Sequence, residues 1–249
     1  MDSIFERNLI VTPDYCDAAG ALSPLAAFTI FQGIAAQHAE ALGVGSAAMA
    51  KKGEFWLTVH TRVDLFAHAY LMDELSVRTW AERCSERDVR TYRSYTLSRG
   101  ETVIARGKTE WAILGPEKKV IRFGDSGFPR EYPFPAESAI PEKLQRFHER
   151  FEDADRFSCY AVRPTDIDLG RHMNNVVYVR LLLDCFTAQE LASGTIRSVE
   201  LHYSTPCFEG EELTVYKRMA GDGTCRIGIV KPDGKTASQA CVTFGPAQE

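Results

Sequence analysis

The densest run of side chains able to do chemistry is Asp166-Ile-Asp168-Leu-Gly170-Arg-His172-Met-Asn174-Asn175-Val-Val-Tyr178. Polar residues and a glycine lead straight into an apolar stretch, so the run reads as a loop or strand turning into a helix. The first backbone N–H groups of a helix lack intrahelical acceptors and lie at the positive end of its dipole. A carbonyl oxygen that gains negative charge during a reaction is stabilised at such a place. His172 and Asp168 stand close by, and an imidazole and a carboxylate there can orient or deprotonate water. Each residue also has a plainer role. A histidine at a helix entrance can be a hydrogen-bonding scaffold, Asn174 a local N-cap, and Asp168 a turn residue. Tyr178, one turn into the helix, reads first as packing.

The chain carries its own control. Val11-Thr-Pro13-Asp14-Tyr-Cys-Asp17 resembles Val162-Arg-Pro164-Thr-Asp166-Ile-Asp168, and Val, Pro and the second Asp recur at a spacing of 151 residues. Such self-similarity marks a duplicated unit. At that spacing Asp17 faces Asp168, Ala21 faces His172, Ser23 faces Asn174 and Pro24 faces Asn175. The first copy keeps a turn and a helix cap but has no imidazole. One active site per chain, in the second copy, is the expectation.

A helix and a sheet must position each turn. Ser23-Pro24 is an N-cap followed by proline at the first helical position. Leu25, Phe28, Phe31, Ile34, Ala35, His38 and Leu42 then keep helical spacing up to Gly43. The second helix runs from about Asn174 through Val177, Tyr178, Leu181, Leu182 and Phe186, and is apolar on nearly every side, as a helix enclosed by sheet is. An extended run follows each helix, Trp56 to Val63 and Ser198 to Tyr203. Three more strands are predicted in each copy, at 75–84, 89–98 and 102–114, then at 212–219, 224–230 and 235–244. Leu75 and Leu213 stand only 138 residues apart, so the second helical region is about a dozen residues shorter. The fold class is α+β. A helix held by a curved antiparallel sheet is the hot-dog arrangement, here used twice with the two sheets paired edge to edge. Residues 1–115 form the first unit, with a degenerate site, and 157–249 the second, with the active site. Between them, 116–156 is a proline-rich linker with a short helix expected near Pro141–Phe151.

Composition narrows the function classes. The 249 residues include 29 Lys and Arg against 34 Asp and Glu, a net charge of −5, and 45% are apolar. These are globular values, and the acidic balance argues against nucleic-acid binding. No apolar run reaches the roughly 18–20 residues of a membrane span. The start, MDSIFERNLIV, lacks the basic and apolar regions of an export signal, so a cytoplasmic location is expected. Seven cysteines without C-x-x-C or zinc-like spacing read as free thiols. With no ligand cluster and no glycine-rich phosphate loop, neither metal nor organic cofactor is expected. From Arg78 to Arg122, however, eleven basic residues outnumber six acids. Such a stretch is a solvated sheet face or a docking patch for an acidic partner.

The residues from Asp168 to Tyr178 resemble the signature of the acyl-acyl-carrier-protein thioesterases of plants and bacteria, double hot-dog enzymes of fatty acid biosynthesis. That family carries a similar Asp-x-Asn-x-His-x-Asn-Asn run ending in Tyr, and the resemblance extends over nearly the whole chain. Asp168, His172, Asn174, Asn175 and, after the next strand, Cys207 match it. Gly170 stands where the family usually has a catalytic Asn, and Pro206 where it usually has the catalytic Glu. The resemblance implies a hydrolase that releases fatty acids from acyl carrier protein. Its catalytic candidates are Asp168, His172, Asn174 and Cys207, with Asn175, Gly170 and Tyr178 beside the substrate. Phe28 and Phe31 of the first helix are expected in the acyl pocket. Two chemistries stay open: His172, oriented by Asp168, activates a water, or Cys207 attacks with His172 as its base. Acyl carrier proteins are acidic, which makes Arg87, Arg90 and Arg93 the candidate docking residues. Coenzyme A thioesters as substrates, or a non-catalytic acyl-thioester binding protein, are the alternatives. The two copies can satisfy one another, so a monomer or a homodimer is expected.

Overall fold

The computed structural model describes residues 2–246. The first copy runs β1 (Phe5–Ile10), α1 (Pro24–Ala41), α2 (Ser46–Lys51), β2 (Phe55–Leu65), β3 (Glu74–Ala81), β4 (Thr91–Arg99), β5 (Thr102–Leu114) and a short β6 (Val120–Ile121). The second runs β7 (Arg156–Ala161), α3 (Asn175–Leu183), α4 (Ala188–Ala192), β8 (Ile196–Tyr203), β9 (Glu212–Met219), β10 (Thr224–Val230) and β11 (Thr236–Phe244). All the strands join one sheet in the order β1-β3-β4-β5-β2-β8-β11-β10-β9-β7, with β6 on β5. The second half of that order mirrors the first. The halves meet at β2 and β8, antiparallel, with His60 opposite His202 and Asp64 opposite Ser198. Joining there pairs two edges that would otherwise stay open. One core cluster packs Phe28, Phe31 and Ile34 of α1 and Val179 and Leu182 of α3 with Tyr95 and Leu201 of the sheet.

The duplication reaches individual hydrogen bonds. Asp17 N–H donates to the Ala21 carbonyl at 2.7 Å, as Asp168 N–H does to that of His172 at 3.1 Å. Ser23 N–H donates to Tyr15 at 2.9 Å, and Asn174 N–H to Asp166 at 2.8 Å. Leu22 N–H donates to Ala69 at 2.7 Å, and Met173 N–H to Cys207 at 2.8 Å, which makes Ala69 the counterpart of Cys207. The shortening falls mainly in the helix, with 18 residues in α1 and 9 in α3.

The expected helix near Pro141–Phe151 does not form; that stretch has no regular secondary structure. The linker instead lies against the sheet, whose side chains take up its backbone groups. Trp80 Nε1 donates to the Glu137 carbonyl at 2.8 Å, Lys108 Nζ to that of Ile140 at 3.0 Å and Gln239 Nε2 to that of Glu149 at 2.6 Å. Gln145 N–H donates to Glu200 Oε1 at 2.5 Å. Partners supplied from outside remove the need for a helical ladder.

His38, buried on α1, receives a hydrogen bond on Nδ1 from Arg93 Nη1 at 2.8 Å and stacks on Phe5. Burial, reinforced by the Arg93 charge, lowers its pKa from 6.5 to about 3. Below the ordinary value the unfolded chain binds a proton that the folded chain refuses, so this stability is whole above pH 6.5 and falls towards pH 3. Denaturant melts should lose about 2 kcal/mol from this residue between about pH 7 and 5. His38→Gln should remove that part of the slope, and an unchanged slope in the variant would refute the assignment.

Candidate active site

The turn ahead of α3 is built by Asp168, whose Oδ1 accepts the Gly170 N–H at 2.7 Å. Asp17 does the same in the first copy, accepting the Ala19 N–H at 2.8 Å. Asp168 is therefore a turn-former, as Asp17 is in the first copy. It does not orient the imidazole as the sequence suggests, because His172 Nδ1 lies 3.2 Å from the Met173 carbonyl. A carbonyl oxygen only accepts, so Nδ1 carries the proton and Nε2 the lone pair. Among the described residues Nε2 has no hydrogen-bond partner. A β-carbon on Gly170 would stand 2.8 Å from Nε2 and 3.0 Å from Asp168 Oδ1, so the glycine leaves room for the ring.

Asn174 is the N-cap of α3. Its Oδ1 accepts from the Val176 N–H at 2.9 Å and from Gln32 Nε2 of α1 at 3.2 Å. Asn175 Nδ2 donates to Thr58 Oγ1 of β2 at 2.9 Å. The first copy thus holds both asparagines of the second, through two residues outside the motif. Gln32 is legible as a polar residue within an apolar helical run. Thr58 and Thr61 break the alternation of a strand, and the β2–β5 register shifts between Thr58 and His60. That bulge lets both threonines line the interior. The Asn175 backbone N–H, first of the helix, has no acceptor among the described residues. In the first copy Pro24 holds that position and has no N–H at all. The first copy lacks the donor as well as the imidazole.

Beside Asn175 opens a cleft of about 340 Å³, solvent-open space included, lined by Phe28, Phe31 and Gln32 of α1, Thr58 and Thr61 of β2, and Val176 and Val179 of α3. Phe31 stacks on Tyr95 with ring centroids 4.9 Å apart. A β-carbon on Gly107 would meet the Phe31 ring at 2.7 Å, so the glycine allows that close approach. Phe28 and Phe31 are brought to one cleft with Asn175.

The model of the acyl-ACP thioesterase N-terminal domain matches residues 2–123, and that of the C-terminal domain residues 147–245. The chain belongs to the acyl-ACP thioesterase family. An oleoyl-acyl carrier protein thioesterase of Arabidopsis thaliana is 22% identical over 195 residues, 72% of this chain and 53% of that protein. The chain spans about half the length of the curated relatives it matches. The structure of a 12:0-ACP thioesterase from Umbellularia californica superposes with a TM-score of 0.83 at 17% identity, covering 99% of this chain and 98% of that one. An acyl-ACP thioesterase from Bacteroides thetaiotaomicron gives 0.79 at 19% identity, covering 98% of each. The double hot-dog fold is common to all three.

Within this thioesterase fold several sequence candidates belong to the packing. Cys207 is fully buried, and its N–H donates to the Tyr178 hydroxyl at 3.0 Å. Burial pushes its thiol pKa up, against a smaller opposing effect of the Tyr178 hydrogen bond. A buried, protonated thiol is a poor nucleophile. Cys207→Ala should therefore leave kcat within about three-fold, since the first copy already tolerates Ala69 there. A loss of about 10³-fold or more, the scale of losing a nucleophile, would reinstate Cys207 attack. Tyr178 is likewise buried, edge-on to Tyr203 at 5.5 Å, and does not face a substrate. Glu211 is held by Lys231 Nζ at 3.0 Å and by the Phe208 N–H at 3.0 Å, and Glu209 is exposed.

The three candidate docking arginines part company. Arg93 is buried against His38 and Thr79 and cannot meet a partner, because β4 turns it into the interior. Arg90 is half-buried and paired with Glu110 at 3.1 Å. Arg87 is exposed between β3 and β4. Among the described residues no cluster of His, Cys, Asp and Glu could hold a metal, and no helix is long and apolar enough to cross a membrane.

Proposed function

We propose that the protein hydrolyses fatty acyl thioesters of acyl carrier protein, at the start of α3. The observation that carries this reading is the free Nε2 lone pair of His172, two residues ahead of an N-cap whose helix begins with an unpaired Asn175 N–H. In this mechanism Nε2 takes a proton from water as its oxygen bonds to the thioester carbon. The carbonyl oxygen becomes an oxyanion facing the Asn175 N–H and the helix dipole. Collapse breaks the C–S bond, and the imidazolium returns its proton to the departing thiolate, leaving a fatty acid and a free carrier thiol. The cleft lined by Phe28 and Phe31 receives the acyl chain.

The test is thiol release by the whole chain from a panel of acyl-carrier-protein thioesters, with matched coenzyme A thioesters in parallel. Turnover of the carrier thioesters supports the reading. Faster turnover of coenzyme A thioesters moves the substrate class, and binding without turnover identifies a non-catalytic protein. Docking rests on Arg87, with Arg90 beside it. Arg87→Glu should raise KM for the carrier substrate several-fold, flatten its salt dependence and leave kcat unchanged. Identical salt dependence in variant and parent would remove Arg87 from the docking surface.

A further inference from the structure

The two helix caps differ in a way the fold does not require. Among the described residues Ser23 Oγ caps α1 with one hydrogen bond, accepted from the Ala26 N–H at 3.1 Å. Asn174 Oδ1 caps α3 through the Val176 N–H at 2.9 Å, and it accepts a second from Gln32 Nε2 of α1 at 3.2 Å. One local bond suffices for a cap, so the second, reaching across 142 residues, is an addition found in the copy with the imidazole. Gln32 is half-buried and lines the cleft beside Phe28 and Phe31. At the equivalent position of α3, 151 residues on, stands the buried, apolar Leu183. The pairing also fixes which way the Gln32 amide faces. Asn174 must present oxygen to the Val176 N–H, so Gln32 presents its NH2 group to that oxygen, and Oε1 takes the other fork. Among the described residues no group donates to Gln32 Oε1. Asn174 Oδ1 already accepts two hydrogen bonds, which fills its capacity.

We propose that Gln32 is a catalytic residue supplied by the first copy, its Oε1 accepting a hydrogen bond from the attacking water while His172 Nε2 removes that water's other proton. The inference rests on the hydrolysis proposed above. Water brings two protons, and the base takes one. An acceptor for the second holds the oxygen so that its lone pair points at the thioester carbon. Gln32 transfers nothing: the second proton stays on the new O–H of the tetrahedral intermediate and leaves with the fatty acid. Asn174 is the brace that aims the amide. It stands two residues after the base and one before Asn175, whose N–H receives the oxyanion in this mechanism.

The experiment measures thiol release by the parent chain, Gln32→Leu and Gln32→Glu on the acyl-carrier-protein thioester that the parent turns over fastest. Leucine, the residue at the equivalent position of α3, removes both hydrogen bonds. Glutamate, ionised at about pH 8, keeps an acceptor for the water but cannot donate to Asn174. Gln32→Leu should lower kcat by about ten- to a hundred-fold and change KM by less than about three-fold. Gln32→Glu should stay at least about five-fold faster than Gln32→Leu, because the water keeps its acceptor. Equal losses in the two variants would reduce Gln32 to a brace for the cap, and full activity in Gln32→Leu would leave it no role; either overturns the inference. If melting curves show that the leucine variant does not fold, Gln32→Met, unbranched and without an amide, takes its place. A parent that turns over neither carrier-protein nor coenzyme A thioesters fails as a hydrolase, and the catalytic role of Gln32 falls with it. An active parent with an unaffected leucine variant loses the inference alone.

Discussion

His172→Ala is expected to lower kcat on an acyl-carrier-protein thioester by about 10²–10⁴-fold, the range for loss of a general base. KM should change little, because the imidazole touches water and not the acyl chain in this mechanism. The backbone should tolerate the change, since the first copy folds the same turn around Ala21, whose carbonyl accepts from Asp17 as that of His172 accepts from Asp168. The loss of activity can therefore be read as chemistry and not as unfolding, with a melting curve as the check. Stopped-turnover thiol release on parent and variant gives the ratio directly. A fall of less than about ten-fold would be too small for a general base and would end that role for His172.

Asn175→Pro should cost about 10²–10³-fold in kcat, the range for removing one oxyanion donor. Proline is favoured at the first position of a helix, so the substitution removes the N–H without breaking α3. The preceding residue already suits it. Asn174 has φ −61° and ψ 141°, close to Ser23 at φ −73° and ψ 152°, which precedes Pro24 in the first copy. Both lie where a residue before proline is comfortable. Asn175→Ala is the matched control, because it keeps the N–H and loses only the bond to Thr58. The proline variant should be far slower than the alanine variant. Equal rates would assign the role to the Asn175 side chain, and full activity in both would place the oxyanion elsewhere.

Much of the fold is legible because it is written locally. Caps at Ser23 and Asn174, helical spacing in α1 and turn residues between strands each act within a few positions. The spacing of 151 residues aligns the two turns down to single hydrogen bonds, including the loss of the imidazole at Ala21. The linker near Pro141–Phe151 departs from its local reading because its partners, Trp80, Lys108, Glu200 and Gln239, come from the sheet. Arg93 departs for a related reason. Its place in a basic stretch suggests a surface, but its partner His38 lies inside.

The site divides along the same line. From the sequence alone came the turn, the helix start, the histidine and the conclusion that the second copy carries them, since each depends on neighbours along the chain. Tertiary structure alone decided which atoms remain free to react. Among the described residues, folding leaves His172 Nε2 and the Asn175 N–H without hydrogen-bond partners. Gln32 reaches Asn174 across 142 residues, and Thr58 reaches Asn175 across 117. The same long-range packing buries the Cys207 thiol. Hydrogen-bond pairing and desolvation depend on groups brought together by folding, and no local pattern encodes them.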